Sequence, residues 1–179
     1  QKLGWLFVEG VSAVSHLCDR AKGPRSGRVG ASIMVMSVDE PPRDGIVATI
    51  AELDGASDEA SLLAAISRTR AAVAADLGRH TPTLALAAGW SEAMRTTVAT
   101  AARLVGGTGA PPWTWFASGS VGRGEAVPGS DVETLIALAD DVDEQAKARA
   151  MELAAEVHAL LEKCGLPLDD NGVLASRPR

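Results

Sequence analysis

The stretch WTWFASGSVGRGEAVPGSDVETLIAL, residues 113–138, constrains the fold more than any other part of the chain. Its first apolar run, WTWFAS, has no polar side chain except Thr114 before the terminal Ser118, the pattern of a short strand buried on both faces. The run from Asp131 to Ala139 reads as a second strand. Side chains two apart on a strand share a face, with Cα atoms roughly 6.5 to 7 Å apart. Asp131 and Glu133 therefore project together, while Val132, Thr134, Ile136 and Leu138 point the other way, into a core. A small sheet with a glycine-rich connection is thus predicted in a chain whose other clear patterns are helical.

Three of those patterns are long. Ser57 caps a predicted helix with Asp58 and Glu59 in its first turn and Gly78 at its end; Leu62, Ile66, Val73 and Leu77 form its apolar stripe. Thr81-Pro82 opens a second, with Leu84, Ala87, Ala88, Ser91, Met94, Val98, Ala101 and Val105 as its buried face and Gly106-Gly107 as its stop. The short connection between them predicts antiparallel packing. A third runs from about 142 to 164 on Ala146, Ala150, Leu153, Ala154, Val157, Leu160, Leu161 and Cys164, and ends at Gly165 and Pro167.

The first 55 residues are less sharply patterned. Leu3, Phe7, Val11, Val14 and Cys18 share one helical face over residues 3–20, and KGPRSGRVGAS, 22–32, reads as a basic loop. The β-branched runs 33–38 and 46–53 flank a Pro-Pro and Asp-Gly turn, so strands are expected there, with short helices as the alternative. The fold class expected is α+β: a mainly helical region, 1–107, packed on a core over 108–179 built from a small mixed sheet flanked by helices.

Hydrophobic residues make up 46% of the 179 and charged residues 22%, the balance of a globular chain. With 3% aromatics and no Tyr, the core must be built from Ala, Val, Leu and Ile. A net charge of −6 argues against gripping a nucleic-acid backbone, so nucleic acid is not an expected partner. No apolar run approaches the roughly 20 residues of a membrane span, and no leader is evident, so a cytoplasmic protein is expected. Cys18 and Cys164 both sit on apolar stripes, as two buried thiols would in a reducing compartment. His16 and His80 have no acid or cysteine at ligand spacing and His158 falls on the polar side of its helix, so all three are expected at the surface. The tryptophans are expected in the core, with base stacking as the alternative for Trp113 if it lies at the mouth of the loop.

The loop itself has a chemistry. Gly119 lets the backbone turn sharply and approach a ligand, Ser120 offers a hydroxyl and an amide, and Arg123 is a planar donor suited to phosphate oxygens. Two acids side by side on a strand repel each other unless something positive lies between them, and a hard divalent cation with phosphate oxygens is a common solution. The layout is that of phosphoryl or nucleotidyl transfer.

At these residues the chain resembles the DNA polymerase β-like nucleotidyltransferase superfamily: Gly119-Ser120-x-Gly122-Arg123-x-Glu125, then Ser130-Asp131-x-Glu133. Within it the chain is similar to CBS-associated nucleotidyltransferases related to the uridylyltransferase that modifies the PII signalling protein. LLEKCGLPLDDNGVLASRP, 160–178, is similar to a family pattern of helix end, turn and Gly-Val-Met-Ala-Ser, here Gly172-Val173-Leu174-Ala175-Ser176.

The resemblance implies a minimal nucleotidyltransferase core that moves a nucleoside monophosphate from a nucleoside triphosphate to a protein or small-molecule acceptor, releasing pyrophosphate. Gly119, Ser120 and Arg123 would bind the nucleotide's phosphates; Asp131 and Glu133 would be the catalytic, metal-holding acids, with Mg²⁺ as cofactor or Mn²⁺ in its place. Glu125 and Ser130 would support the site. Two departures stand out. Glu133 replaces the usual aspartate, and no strand carrying a third acid is expected after residue 165, where Asp169 and Asp170 read as turn residues. The expectation is a fragment lacking that strand, or a catalytically impaired domain acting as a nucleotide sensor or regulatory scaffold.

Overall fold

The computed structural model describes residues 45–169 and 174–177. The expected helix over 3–20, the loop over 22–32 and the run 33–38 lie outside those residues, as do His16, Cys18, Asp170, Gly172 and Val173. The run Ile46–Asp54 is a helix, α1, where a strand was the first expectation. Ile46, Thr49 and Leu53 are its buried positions, a helical spacing in which the first two are β-branched residues that locally favour strands.

Both ends of α1 are satisfied by later parts of the chain. The Ile46 N–H donates to the buried Asp76 carboxylate at 3.2 Å. Thr100 Oγ1 donates to the Leu53 carbonyl at 3.0 Å, and Arg103 Nη2 donates to the carbonyls of Asp54 and Ala56 at 2.9 and 2.7 Å. A helix end leaves N–H and C=O groups without intrahelical partners, so these contacts are what let a nine-residue helix persist.

Helix α2, Glu59–Gly78, is capped by Asp58 and not by Ser57. The Asp58 carboxylate accepts the Ser61 N–H at 2.8 Å, and that bond holds the Asp58 carboxyl below the usual range. Leu62, Ile66 and Val73 are buried as the stripe predicts, but Leu77 is exposed. Asp76 takes the inward position at this end of the helix, because it caps α1 and pairs with Arg79.

Helix α3, Thr83–Gly106, packs on both α1 and α2, and also on the two later helices, α4 (Gly119–Arg123) and α5 (Glu144–Lys163). Its buried arc is therefore wider than one stripe, and it adds Leu86, Trp90, Ala93, Thr97, Thr100 and Ala102 to the expected set. Leu84, expected inside, is 83% exposed, Ala88 is also exposed, and Val105 is half-buried. Arg70 of α2 lies over the Trp90 ring and donates to the Gly165 carbonyl at 2.7 Å, tying α2 and α3 to the end of α5.

Strands β1, Trp113–Ala117, and β2, Thr134–Leu138, pair antiparallel, with Trp115 opposite Ile136 and Ala117 opposite Thr134. The expectation that β1 is buried on both faces does not hold: Trp115 is buried, Phe116 half-buried and its partner Leu135 exposed. Only Trp115 of β1 is fully buried, and β2 alternates between more and less buried positions, as a sheet with one face toward the core does. Strand β2 is also shorter than expected, since Asp131 and Glu133 precede it. Between them Val132 makes an isolated parallel bridge to Leu168, outside the sheet, which is a two-stranded antiparallel pair and not the mixed sheet expected. After residue 165 the described residues hold only this one bridge and no strand.

The α5 stripe is buried as predicted from Ala150 to Leu161, and Cys164 follows it. Burial pushes the Cys164 thiol up to about 11, so it stays protonated and unreactive at neutral pH. One hydrophobic cluster runs from Ile46 of α1 through Trp115 and Val132 to Ala175, making an α+β fold. No helix among the described residues is long and apolar enough to cross a membrane.

Candidate active site

The connection from β1 to β2 carries the residues singled out in the sequence, and three local features shape it. Gly119 has φ +57°, a region that strains any residue with a Cβ. A Cβ there would also stand 2.6–2.7 Å from the Glu133 carboxylate, so that carboxylate lies against the bare Gly119 backbone. Ser118 fixes the arrangement, donating from its N–H to the Glu133 carbonyl at 3.1 Å and from its hydroxyl to Glu133 Oε2 at 2.8 Å. A hydroxyl donating to a carboxylate is a charge-assisted bond and holds one oxygen in place.

Glu133 Oε1 and both Asp131 oxygens accept no hydrogen bond among the described residues. Asp131 is exposed and Glu133 half-buried. The alternation of Val132 and Thr134, both fully buried, turns the two acids to the opposite side together. The Ser120 hydroxyl is likewise without a partner among the described residues, while its carbonyl accepts the Glu125 N–H at 2.9 Å.

Arg123 and Glu125 pair with each other, Nε to Oε2 at 2.8 Å, with both side chains well exposed. An exposed pair of this kind contributes only about 0–1 kcal/mol, so Arg123 can leave Glu125 for a phosphate at little cost. Ser130 closes a turn: its Oγ accepts the Val127 N–H at 3.0 Å and its N–H donates to the Val127 carbonyl at 2.8 Å. Trp113 stands at the far end of β1 from the loop, roughly 13 Å along the strand, and packs edge-to-face on Trp115. It is not at the loop mouth.

Helix α3 braces both halves of the loop. Arg95 Nη1 donates to the Val121 carbonyl at 2.7 Å while its guanidinium pairs with Glu92. Buried Ser91 accepts the Ala126 N–H at 2.9 Å and donates its own hydroxyl hydrogen bond to the Ala87 carbonyl at 2.7 Å. Ser91→Ala leaves that buried amide without a partner, which costs about 1–3 kcal/mol. The expected result is a melting temperature lower by several degrees with the helical circular-dichroism signal intact at 25 °C. Ser118 and Arg95 were not singled out from the sequence, and Ser91 only as part of a buried helix face; Ser118 could have been, as the residue between β1 and the glycine.

Residues 67–179 match the family described as "putative nucleotidyltransferase DUF294". The chain belongs to this family. The match starts within α2 and takes in α3, the loop, both strands and α5. Comparisons with curated proteins and with solved structures gave no match.

The expected surface position of His158 does not hold. The residue is 4% exposed, with Nε2 2.9 Å from Thr134 Oγ1 and Nδ1 2.8 Å from Ser176 Oγ. Burial, and secondarily Arg177, push its pKa down to about 4, so the ring is neutral at ordinary pH. Asp169 is buried too, and its N–H donates to the Val132 carbonyl at 3.4 Å, which brings its backbone alongside that of Glu133. No group of three metal-ligating side chains stands together among the described residues. His80 is exposed, as expected.

Proposed function

We propose that this chain binds a nucleoside triphosphate against the Gly119–Arg123 loop and transfers its nucleoside monophosphate to an acceptor. The observation that carries this reading is the Glu133 carboxylate lying on the Gly119 backbone, with Asp131 two residues before it. An acid pair held at a glycine-rich turn is what phosphate chemistry with a divalent ion needs, and family membership agrees with it. Asp131 and the open oxygen of Glu133 would hold Mg²⁺, or Mn²⁺, together with substrate oxygens. Bound there, the ion supplies Lewis-acid stabilisation of phosphate charge. The chain's own residues do the rest: Gly119 and Ser120 seat the triphosphate, Arg123 exchanges Glu125 for a phosphate oxygen, and Ser118 keeps Glu133 aimed.

An acceptor hydroxyl attacks the α-phosphorus, the bond from that phosphorus to the bridging oxygen breaks, and pyrophosphate leaves as the acceptor proton passes to solvent. The charge of −6 favours a protein or small-molecule acceptor over nucleic acid. The motif likeness to relatives of the PII-modifying uridylyltransferase points the same way, toward a signalling role in the cytoplasm.

A second reading has its own observation: two acids, and no cluster of three, meet among the described residues, which favours a nucleotide sensor. Pyrophosphate release from each nucleoside triphosphate, with Mg²⁺ and with EDTA, separates the two. The enzyme reading expects metal-dependent release that Asp131→Asn abolishes. Calorimetric binding of nucleotide that needs no metal and survives Asp131→Asn, without pyrophosphate, establishes the sensor instead.

A further inference from the structure

The segment 174–177 contains part of the Gly-Val-Leu-Ala-Ser motif, and the nucleotide-binding loop gives it no role. The structure places it on the strand that follows the acid pair. The Ala175 N–H donates to Thr134 Oγ1 at 3.3 Å, Ser176 Oγ meets His158 Nδ1, and Leu174 and Ala175 are buried. Thr134 in turn meets His158 Nε2, and the imidazole packs edge-to-face on Trp115 of β1 at 5.9 Å. One ring therefore joins β1, β2, α5 and the C-terminal motif, and it does so at the residue next to Glu133.

We propose that His158 is a positioning residue for the candidate site: through Thr134 it clamps segment 174–177 onto β2 and so sets where Glu133 presents its carboxylate. The proposal rests on the reading of Glu133 as a site acid. Its chemistry is that of a neutral ring between two hydroxyls. Thr134 Oγ1 already accepts the Ala175 amide, so its own proton can go to Nε2, leaving the Nδ1 proton for Ser176 Oγ; the opposite tautomer also satisfies both contacts. Each arrangement uses one ring nitrogen as donor and one as acceptor. A methyl in place of the Thr134 hydroxyl breaks the clamp at its centre, because it removes both the partner of Nε2 and the acceptor of Ala175.

Displacement is transmitted over a very short path. Thr134 and Glu133 are adjacent, and the Glu133 carbonyl is bonded to the Ser118 amide at the start of the loop. A shift of β2 of about 1 Å at this point is enough to cost on the order of 10²-fold in turnover.

The test uses the full chain and three variants. His158→Gln keeps an amide near the position of Nε2 and can still meet Thr134. His158→Asn reaches only the position of Nδ1 and Ser176. Thr134→Val removes the central hydroxyl at nearly constant shape. Pyrophosphate release gives kcat and KM, Mn²⁺ binding is followed by water-proton relaxation, and hydrogen exchange reports the Ala175 amide, all well below each variant's melting temperature. The expected result is a loss of about 10²-fold in kcat/KM for His158→Asn and Thr134→Val, carried by kcat. Mn²⁺ binding weakens roughly 10-fold or more in both, Ala175 exchanges faster, and His158→Gln restores most of the turnover.

If all three variants melt earlier but keep wild-type kcat/KM and Mn²⁺ affinity while folded, His158 is structural only and the proposal is overturned. Wild-type protein that neither releases pyrophosphate nor binds Mn²⁺ overturns the underlying reading of the acid pair instead. The two failures are thus distinct.

Discussion

Gly119→Ala is expected to abolish nucleotidyl transfer while leaving a folded protein. The left-handed φ of +57° costs an alanine about 1–2 kcal/mol. The added Cβ would also lie 2.6–2.7 Å from the Glu133 carboxylate, closer than side-chain carbons approach. The atoms in the way are the far end of a flexible side chain, so the cheapest relief is for Glu133 to swing aside. That movement gives up the Ser118 bond, worth about 1.5–3 kcal/mol for a charged acceptor. Total destabilisation should be about 2.5–5 kcal/mol, within what a domain of this size can survive. Turnover has no such tolerance, because a carboxylate misplaced by about 1 Å costs on the order of 10²-fold.

Gly122→Ala is the informative contrast. There the Cβ would sit 2.7 Å from the Ala117 carbonyl oxygen, which belongs to β1 and cannot swing away. That variant should lose the fold of the loop and strand pair as well as activity. Denaturant unfolding beside a pyrophosphate assay distinguishes the outcomes; wild-type turnover in Gly119→Ala would remove Glu133 from the site.

The second large effect is a loss of stability in mild acid that originates at His158. In the unfolded chain this histidine takes its proton near pH 6.5, and in the fold, where burial disfavours the charged ring, only near 4. Between those values the unfolded state binds a proton that the native state refuses, so stability falls as pH falls. The contribution is complete above about pH 6.5 and declines by about 3 kcal/mol on approaching pH 4. Carboxylates elsewhere also titrate in this window, so the measurement is the difference between wild type and His158→Gln. Urea unfolding of both from pH 7.5 to 4.5 should show the wild type losing more, with the gap closing as pH falls. Parallel profiles would mean that the buried ring titrates normally.

Much of this protein is readable without coordinates, and the reason differs from element to element. The C-terminal ends of α3 and α5 are marked by Gly106-Gly107 and Gly165, residues whose local chemistry stops a helix whatever surrounds it, while the start of α2 was expected at Ser57 and is capped one residue later, by Asp58. The acid pair and the glycine loop are legible because their meaning lies in spacing: i, i+2 on extended chain, and a glycine where side chains cannot go. Helix α1 was not legible. Its N-terminus is capped by Asp76, thirty residues on, and its C-terminus by Thr100 and Arg103, nearly fifty on. Local propensity favoured a strand, and long-range capping overrode it.

His158 failed for a related reason. On its own helix it falls beside the apolar stripe, and only the arrival of Thr134 and Ser176 gives both ring nitrogens partners that make burial tolerable. The sequence by itself determined the three long helices, where the strand pair lies, and that the glycine loop and the acid pair stand between its strands, because those properties are local and periodic. Only the tertiary structure decided which face of α3 is inside, that Ile46–Asp54 is helical, and that a buried histidine stands behind the acid pair. Those depend on hydrogen-bond partners and packing surfaces supplied from distant parts of the chain, and a buried polar group is acceptable only once such partners are in place.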